Sequence, residues 1–112
     1  MLAGLQEYCA YKEAFKASCL KNEIIIMTSA TYGRMKLGKC LLDEGVALHD
    51  PIVNDRKFLG CSEDILTLMN MKCSGMNRCE VHLNSDGDFQ NLKPCHAWLK
   101  LYLEASYKCI TG

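Results

Sequence analysis

Eight cysteines in 112 residues constrain this chain more than any other feature. They stand at positions 9, 19, 40, 61, 73, 79, 95 and 109. Their number is even, they are spread along the whole chain, and no two form a Cys-x-x-Cys pair. That pattern favours a disulfide framework over a zinc site or a redox motif. The competing reading is a set of buried free thiols in a cytosolic chain, which would be chemically inert. Covalent staples suit the size. With 49% hydrophobic residues the chain makes one domain, residues 1–112 with its core between Cys9 and Cys109, and that core is modest. Spacing alone leaves about 105 ways of pairing eight half-cystines. An oxidised framework points to the secretory pathway, yet Met1-Leu2-Ala3-Gly4-Leu5 has neither the basic start nor the apolar stretch of a signal peptide. The expectation is a domain excised from a longer chain, or a mature form with an added initiator Met.

The 13 Lys and Arg residues balance 13 Asp and Glu. No basic footprint for nucleic acid or an anionic membrane results. The apolar run Ile24-Ile25-Ile26-Met27 falls far short of a bilayer span, so direct membrane insertion is not expected.

The clearest local pattern lies near the end. Odd positions from 99 to 109 read Leu, Leu, Leu, Ala, Tyr, Cys, and the even ones Lys, Tyr, Glu, Ser, Lys. This is the alternation of a strand with one face in the core and one in water. Upstream, Glu13–Cys19 and Glu23–Ala30 predict two strands with a turn at Lys21-Asn22. Three consecutive Ile place the second strand centrally, with both faces buried. Thr31-Tyr32-Gly33-Arg34 reads as a turn in which Gly33 supplies positive φ. Residues 41–58, with Gly45, Pro51 and scattered Asp and Asn, read as a long surface loop. Cys61-Ser62-Glu63-Asp64 predicts the start of one main helix, about residues 62–73. Ser62 is its N-cap, Glu63 and Asp64 charge its first turn, Ile65, Leu68, Met69 and Lys72 follow helical spacing, and Ser74-Gly75 ends it. The six methionines, three of them near this helix, read as core filler. Arg78–Leu83 alternates as a short strand, and Asn84-Ser85-Asp86-Gly87-Asp88 is turn chemistry. The last segment is not a calcium loop, because Phe89 and Cys95 stand where the EF-hand needs Gly and a bidentate Glu.

Catalytic chemistry is hard to assemble from these residues. His49, His82 and His96 lie far apart and outside any metal motif. No Gly-x-Ser-x-Gly or Gly-rich phosphate cradle is present. Glu63 and Asp64 are accounted for as helix-start charges. The expectation is a protein that is not an enzyme and needs neither cofactor nor metal.

One set of residues carries a specific resemblance. Cys9, Cys19, Ala30-Thr31-Tyr32-Gly33-Arg34, Cys40, Cys61, Cys73, Cys79, Pro94-Cys95 and Tyr102-Leu103-Glu104-Ala105-Ser106-Tyr107-Lys108-Cys109 fall in one order. That order resembles the sea-urchin-egg-lectin type, or rhamnose-binding lectin, domain over essentially the whole chain. The family carries Ala-Asn-Tyr-Gly-Arg after its second cysteine, and Asp-Pro-Cys before a closing Tyr-Leu-Glu-Val-Ser-Tyr-x-Cys strand. It also occurs in adhesion receptors such as latrophilins and in polycystin-like membrane proteins. The resemblance implies an α+β fold: a small disulfide-stapled domain of short antiparallel strands in two sheets, with helical structure packed alongside. It implies the pairs Cys9–Cys40, Cys19–Cys109, Cys61–Cys95 and Cys73–Cys79. It further implies an extracellular or secreted recognition module, such as the ectodomain of a membrane protein, binding galactosyl or rhamnosyl groups without catalysis.

The ligand-binding residues that follow from the resemblance and the local chemistry are Tyr32, Arg34, Trp98 and Lys100. Tyr32 and Arg34 stand in the family's Tyr-Gly-Arg segment. Trp98, the only Trp, offers a stacking platform, and Lys100 a donor to sugar hydroxyls. Each also has a plain structural reading: a packed turn for Tyr32 and Arg34, a partly buried core residue for Trp98, a solvated lysine for Lys100. The chain departs from the family pattern at several points. Ala10 replaces the acid after the first cysteine, Thr31 the Asn before Tyr32, Lys93 the Asp before Pro-Cys, and His96-Ala97 the Pro-Gly after it. These changes remove two acceptors and add a positive charge. They support a second reading, a protein-recognition module on the same scaffold, with the 41–58 loop and Phe58 and Leu59 as its contact surface.

Overall fold

A computed structural model describes residues 2–36, 40, 60–95 and 100–111. The alternating C-terminal run forms β6 (Tyr102–Thr111), and its backbone partners organise the main sheet. On one side β6 pairs with β3 (Glu23–Arg34), antiparallel from Glu23↔Thr111 to Gly33↔Tyr102. On its other side lies β1 (Leu2–Cys9), a strand the sequence reading did not anticipate. Its register on β6 shifts between Ala3 and Gln6. The short β4 (Cys61–Asp64) completes the order β1-β6-β3-β4. A second, two-stranded sheet pairs β2 (Ala14–Ser18) with β5 (Arg78–His82). With the helices α1 (Leu66–Cys73) and α2 (Gly87–Asn91), the result is a disulfide-stapled α+β domain.

The core lies between the sheets and α1. Ile25, Met27, Ala30, Tyr32, Leu103 and Ala105 come from the large sheet, Phe15, Ala17 and Val81 from the small one, and Met69 from α1. The expected alternation holds on β6, where Leu103, Ala105 and Cys109 are buried and Lys108 is exposed. Tyr102 departs from it. Expected on the wet face, it is wholly buried against the Cys9–Cys40 disulfide, which forms a small second cluster there. Its hydroxyl accepts from Lys36 N at 2.9 Å and donates to Lys36 O at 3.2 Å, so the polar tip is satisfied. β3 is an inner strand, as its Ile run suggests, but only Ile25 is fully buried, and Ile24 and Ile26 are half-exposed.

Two local expectations fail together. Thr31–Arg34 is not a turn but the end of β3. Cys61–Asp64 does not open a helix but forms β4, paired Thr31↔Asp64 through Arg34↔Cys61. The unpaired backbone edge of β3 offers more hydrogen bonds to residues 61–64 than a first helical turn would. α1 therefore starts at Leu66 rather than near 62, with Ile65 at its N-cap position and no side-chain cap hydrogen bond. The Asp64 carboxylate still accepts Leu66 N at 3.0 Å. The helix ends where expected, with Gly75 at φ 92°. Of the methionines, Met27 and Met69 are core residues, whereas Met71 and Met76 are exposed.

The half-cystines join as Cys9–Cys40, Cys19–Cys109, Cys61–Cys95 and Cys73–Cys79. Cys19 follows β2 and Cys109 lies on β6, so this bond ties the two sheets across 90 residues of chain. The turn at Lys21-Asn22 is present, but it leads from one sheet to the other and makes no hairpin. Asn77 holds this corner: its side-chain amide donates to Leu20 O at 2.7 Å and Glu23 O at 3.1 Å. The edge of β3 near Ile25 is closed by the segment after α1, with Ile25 N on Met76 O and Gly75 N on Ile25 O, both at 2.8 Å.

Gly33 lies where β4 crosses closest, and a Cβ there would sit 2.7 Å from Ser62 Cα at a φ of +153°. Gly33→Ala should cost about 2–4 kcal/mol in urea unfolding. Gly75→Ala, at positive φ but in open space, should cost only about 1 kcal/mol. Loop closure gives a second test. Replacing Cys19 and Cys109 together by Ser should lower stability by about 4–5 kcal/mol, against about 2 kcal/mol for the Cys73/Cys79 pair.

Candidate functional site

Where β3, α2 and the entry to β6 meet, the surface has an open hollow of about 360 Å3. Its apolar lining comes from Tyr32, Leu83, Phe89 and Leu92, and its polar lining from Tyr11, Asn84, Gln90, Lys93 and Lys100. The elements place these residues for local reasons. Gly33 admits β4 alongside β3 and so fixes the end of the strand that carries Tyr32. The Tyr32 ring meets Phe89 edge-on, centroids 5.0 Å apart and planes at 85°. Burial pushes the Tyr32 hydroxyl pKa above its usual value, so it stays protonated as a donor.

Phe89 and Gln90 are delivered by α2, a single turn whose N-cap is Asp86. The Asp86 carboxylate accepts Asp88 N at 2.9 Å and Phe89 N at 3.2 Å. It also accepts from Lys72 of α1 at 3.0 Å, and Lys72 reaches Asp88 at 2.8 Å. The turn expected at residues 84–88 is thus half turn and half helix start. Partial burial pulls the Asp86 carboxyl pKa upward. The hydrogen bonds from Lys72 and from the backbone of Phe89 and Asp88 outweigh it and leave the pKa below its ordinary 3.8. The Lys72 ammonium is held above its ordinary 10.5, chiefly by its hydrogen bond to Asp88.

Of the residues singled out in the sequence, Tyr32 and Lys100 line this hollow. Arg34 does not. It is buried, and its guanidinium donates to the Lys100 carbonyl at 2.7 Å, fastening the stretch that carries Lys100. Trp98 lies outside the described residues, as do His49, His96 and the 41–58 loop with Phe58 and Leu59. Ala10 and Lys93, two points of departure from the lectin pattern, both line the hollow. The residues that sequence reasoning missed are Tyr11, Asn84 and Gln90. Tyr11 has its hydroxyl bonded to Cys40 O, and the Lys100 ammonium sits 4.4 Å from the centre of its ring. Gln90 donates through its side-chain amide to Asn84 O. An aromatic residue two positions past Cys9 was the available signal for Tyr11. For Gln90 the signal was the capping character of Asp86.

His82 is exposed, as its strand pattern predicts, with Nε2 2.6 Å from Glu80 Oε2. The cluster of Cys9, Cys40 and Glu13 offers no thiolate, because its sulfurs are bonded to each other and Glu13 accepts Cys9 N at 2.8 Å. A larger groove of about 770 Å3 runs along β2 and β5, but its charges are of both signs and its Lys72 is already engaged with Asp86 and Asp88.

No protein-family model matches the chain, and no curated protein matches its sequence.

Because Asp86 both caps α2 and holds Lys72, Asp86→Ala should destabilise the fold by about 1–2 kcal/mol in chemical denaturation. The pH dependence has a defined sign. The Asp86 contribution is complete above the ordinary carboxylate value and drains away as pH falls through the depressed native value. The Lys72 contribution is complete below 10.5 and is lost as pH rises through the raised native value. Between these limits the difference between wild type and Asp86→Ala should stay flat.

Proposed function

We propose that this chain is a non-catalytic, extracellular recognition module of the rhamnose-binding lectin type, which takes a galactosyl or rhamnosyl group in the hollow beside Tyr32. The observation that carries this reading is the lining of that hollow. It combines apolar rings, the side-chain amides of Asn84 and Gln90, and a lysine held over Tyr11. Sugar recognition needs this mixture: directional donors and acceptors for neighbouring hydroxyls beside a surface for the sugar's apolar face. Two further facts support it. The half-cystines join in the four pairs that the lectin resemblance implies. A disulfide framework of this density is suited to an oxidising, extracellular setting. Trp98 belongs to this reading as a stacking residue, and Arg34 as the group that positions Lys100.

A second reading is favoured by one specific observation. Ala10 and Lys93 face the hollow in place of the family's acids, which weakens the grip on a neutral sugar. On that reading the domain is an adhesion module that binds a protein partner of a receptor ectodomain.

Calorimetric titration with L-rhamnose and galactose tests the two. The lectin reading expects saturable binding in the millimolar range, abolished in an Asn84→Ala/Gln90→Ala double variant that keeps its unfolding midpoint because both side chains are exposed. No response to either sugar, together with capture of a receptor partner that survives excess free sugar, would transfer the function to protein recognition.

A further inference from the structure

The charge of the hollow narrows its ligand. The whole chain is electrically balanced, 13 basic against 13 acidic residues. The described lining of this hollow is not. It contains Lys93 and Lys100 and no carboxylate. Neither lysine is paired with an acid among the described residues. Lys93 donates to the Gln90 carbonyl at 3.1 Å, and Lys100 is placed over the Tyr11 ring at 4.4 Å. Both therefore have partners that orient their ammonium groups without neutralising them. By contrast, Lys72, which lines the larger groove, has two carboxylates within 3.0 Å. A concave wall of one sign focuses its field into the cavity and favours a ligand of opposite charge.

Resting on the lectin reading, we infer that the hollow is selective for an acidic saccharide: a galactosyl or related sugar bearing a sulfate or carboxylate. The anion would lie between Lys93 and Lys100. The sugar ring and its hydroxyls would meet Tyr11, Asn84 and Gln90, whose side-chain amides are exposed. An acidic peptide would satisfy the lysines but leave the amide and ring surfaces without a matched partner, so the saccharide fits more of the lining. The same two positions explain what replaced the family's acids. At 93 a hydroxyl-binding carboxylate has given way to an anion-binding ammonium, and at 10 a second negative group is missing.

The experiment compares methyl galactoside, a sulfated methyl galactoside, inorganic sulfate and poly-glutamate on the oxidised chain by calorimetry. Each is run between roughly 0.05 M and 0.5 M salt, a range over which screening removes most surface electrostatics. The sulfated galactoside should bind about tenfold or more tightly than the neutral one at low salt, the scale of one charge-assisted hydrogen bond. Its advantage should shrink at high salt. Lys93→Gln should remove most of the preference while leaving neutral-sugar binding and the unfolding midpoint in place, since its side chain is exposed and serves only the anion. Equal binding of the two galactosides overturns the anion inference and leaves the lectin reading standing. Inorganic sulfate or poly-glutamate binding as tightly as the sulfated sugar overturns it too, because charge alone would then be recognised. Silence towards every saccharide overturns the lectin reading and the inference together.

Discussion

The long antiparallel ladder between β3 and β6 is the contact on which the rest of the molecule depends. It joins residues 23–33 to residues 102–111, so nearly the whole chain must be closed before it forms. Such non-local pairing carries a loop-closure cost that local hydrogen bonds do not repay at once. The Cys19–Cys109 bond sits near one end of this ladder and restricts the unfolded chain over the same span. At the other end, Tyr102 packs on the Cys9–Cys40 bond. One disulfide therefore secures each end of the β3–β6 pair. These two bonds help a modest core to hold the described sheets together.

The candidate site is a by-product of how that ladder is flanked. β4 covers the last residues of β3, α2 lays Phe89 against Tyr32, and Arg34 reaches across to the carbonyl of Lys100. The hollow thus collects side chains from residues 10–11, 32, 83–84, 89–90, 92–93 and 100–101, which come from separate parts of the chain. Its apolar base is rigid because it is core, while its polar rim is exposed and free to meet a ligand. Arg34, which the sequence suggests as a contact residue, serves the rim from behind.

What was legible in the sequence follows the range of the physics involved. β6 and β5 could be read because their alternation is local, and the end of α1 because Ser74-Gly75 is a local signal. Residues 31–34 and 61–64 were misread as a turn and a helix start. Each is half of a strand pair, and the other half lies about thirty residues away. Ser62-Glu63-Asp64 has the composition of a helix start, and only the free edge of β3 overrides it. The same limit applies to the site. Tyr32 and Lys100 were reachable from the lectin resemblance. Tyr11 and Gln90 were not, because the local signals beside them, an aromatic residue after Cys9 and a cap at Asp86, do not say that these segments meet beside β3. β1 escaped notice because its run of Leu2-Ala3-Gly4-Leu5 has no clean period of two.

β1 also has a feature whose effect reaches beyond the monomer. Among the described residues it pairs only with β6, which makes it an edge strand, the kind of surface to which another strand can add. Its broken register between Ala3 and Gln6 interrupts the straight row of donors and acceptors that another chain would need as a template. An irregularity that costs a little order within the sheet therefore hinders edge-to-edge fibre growth.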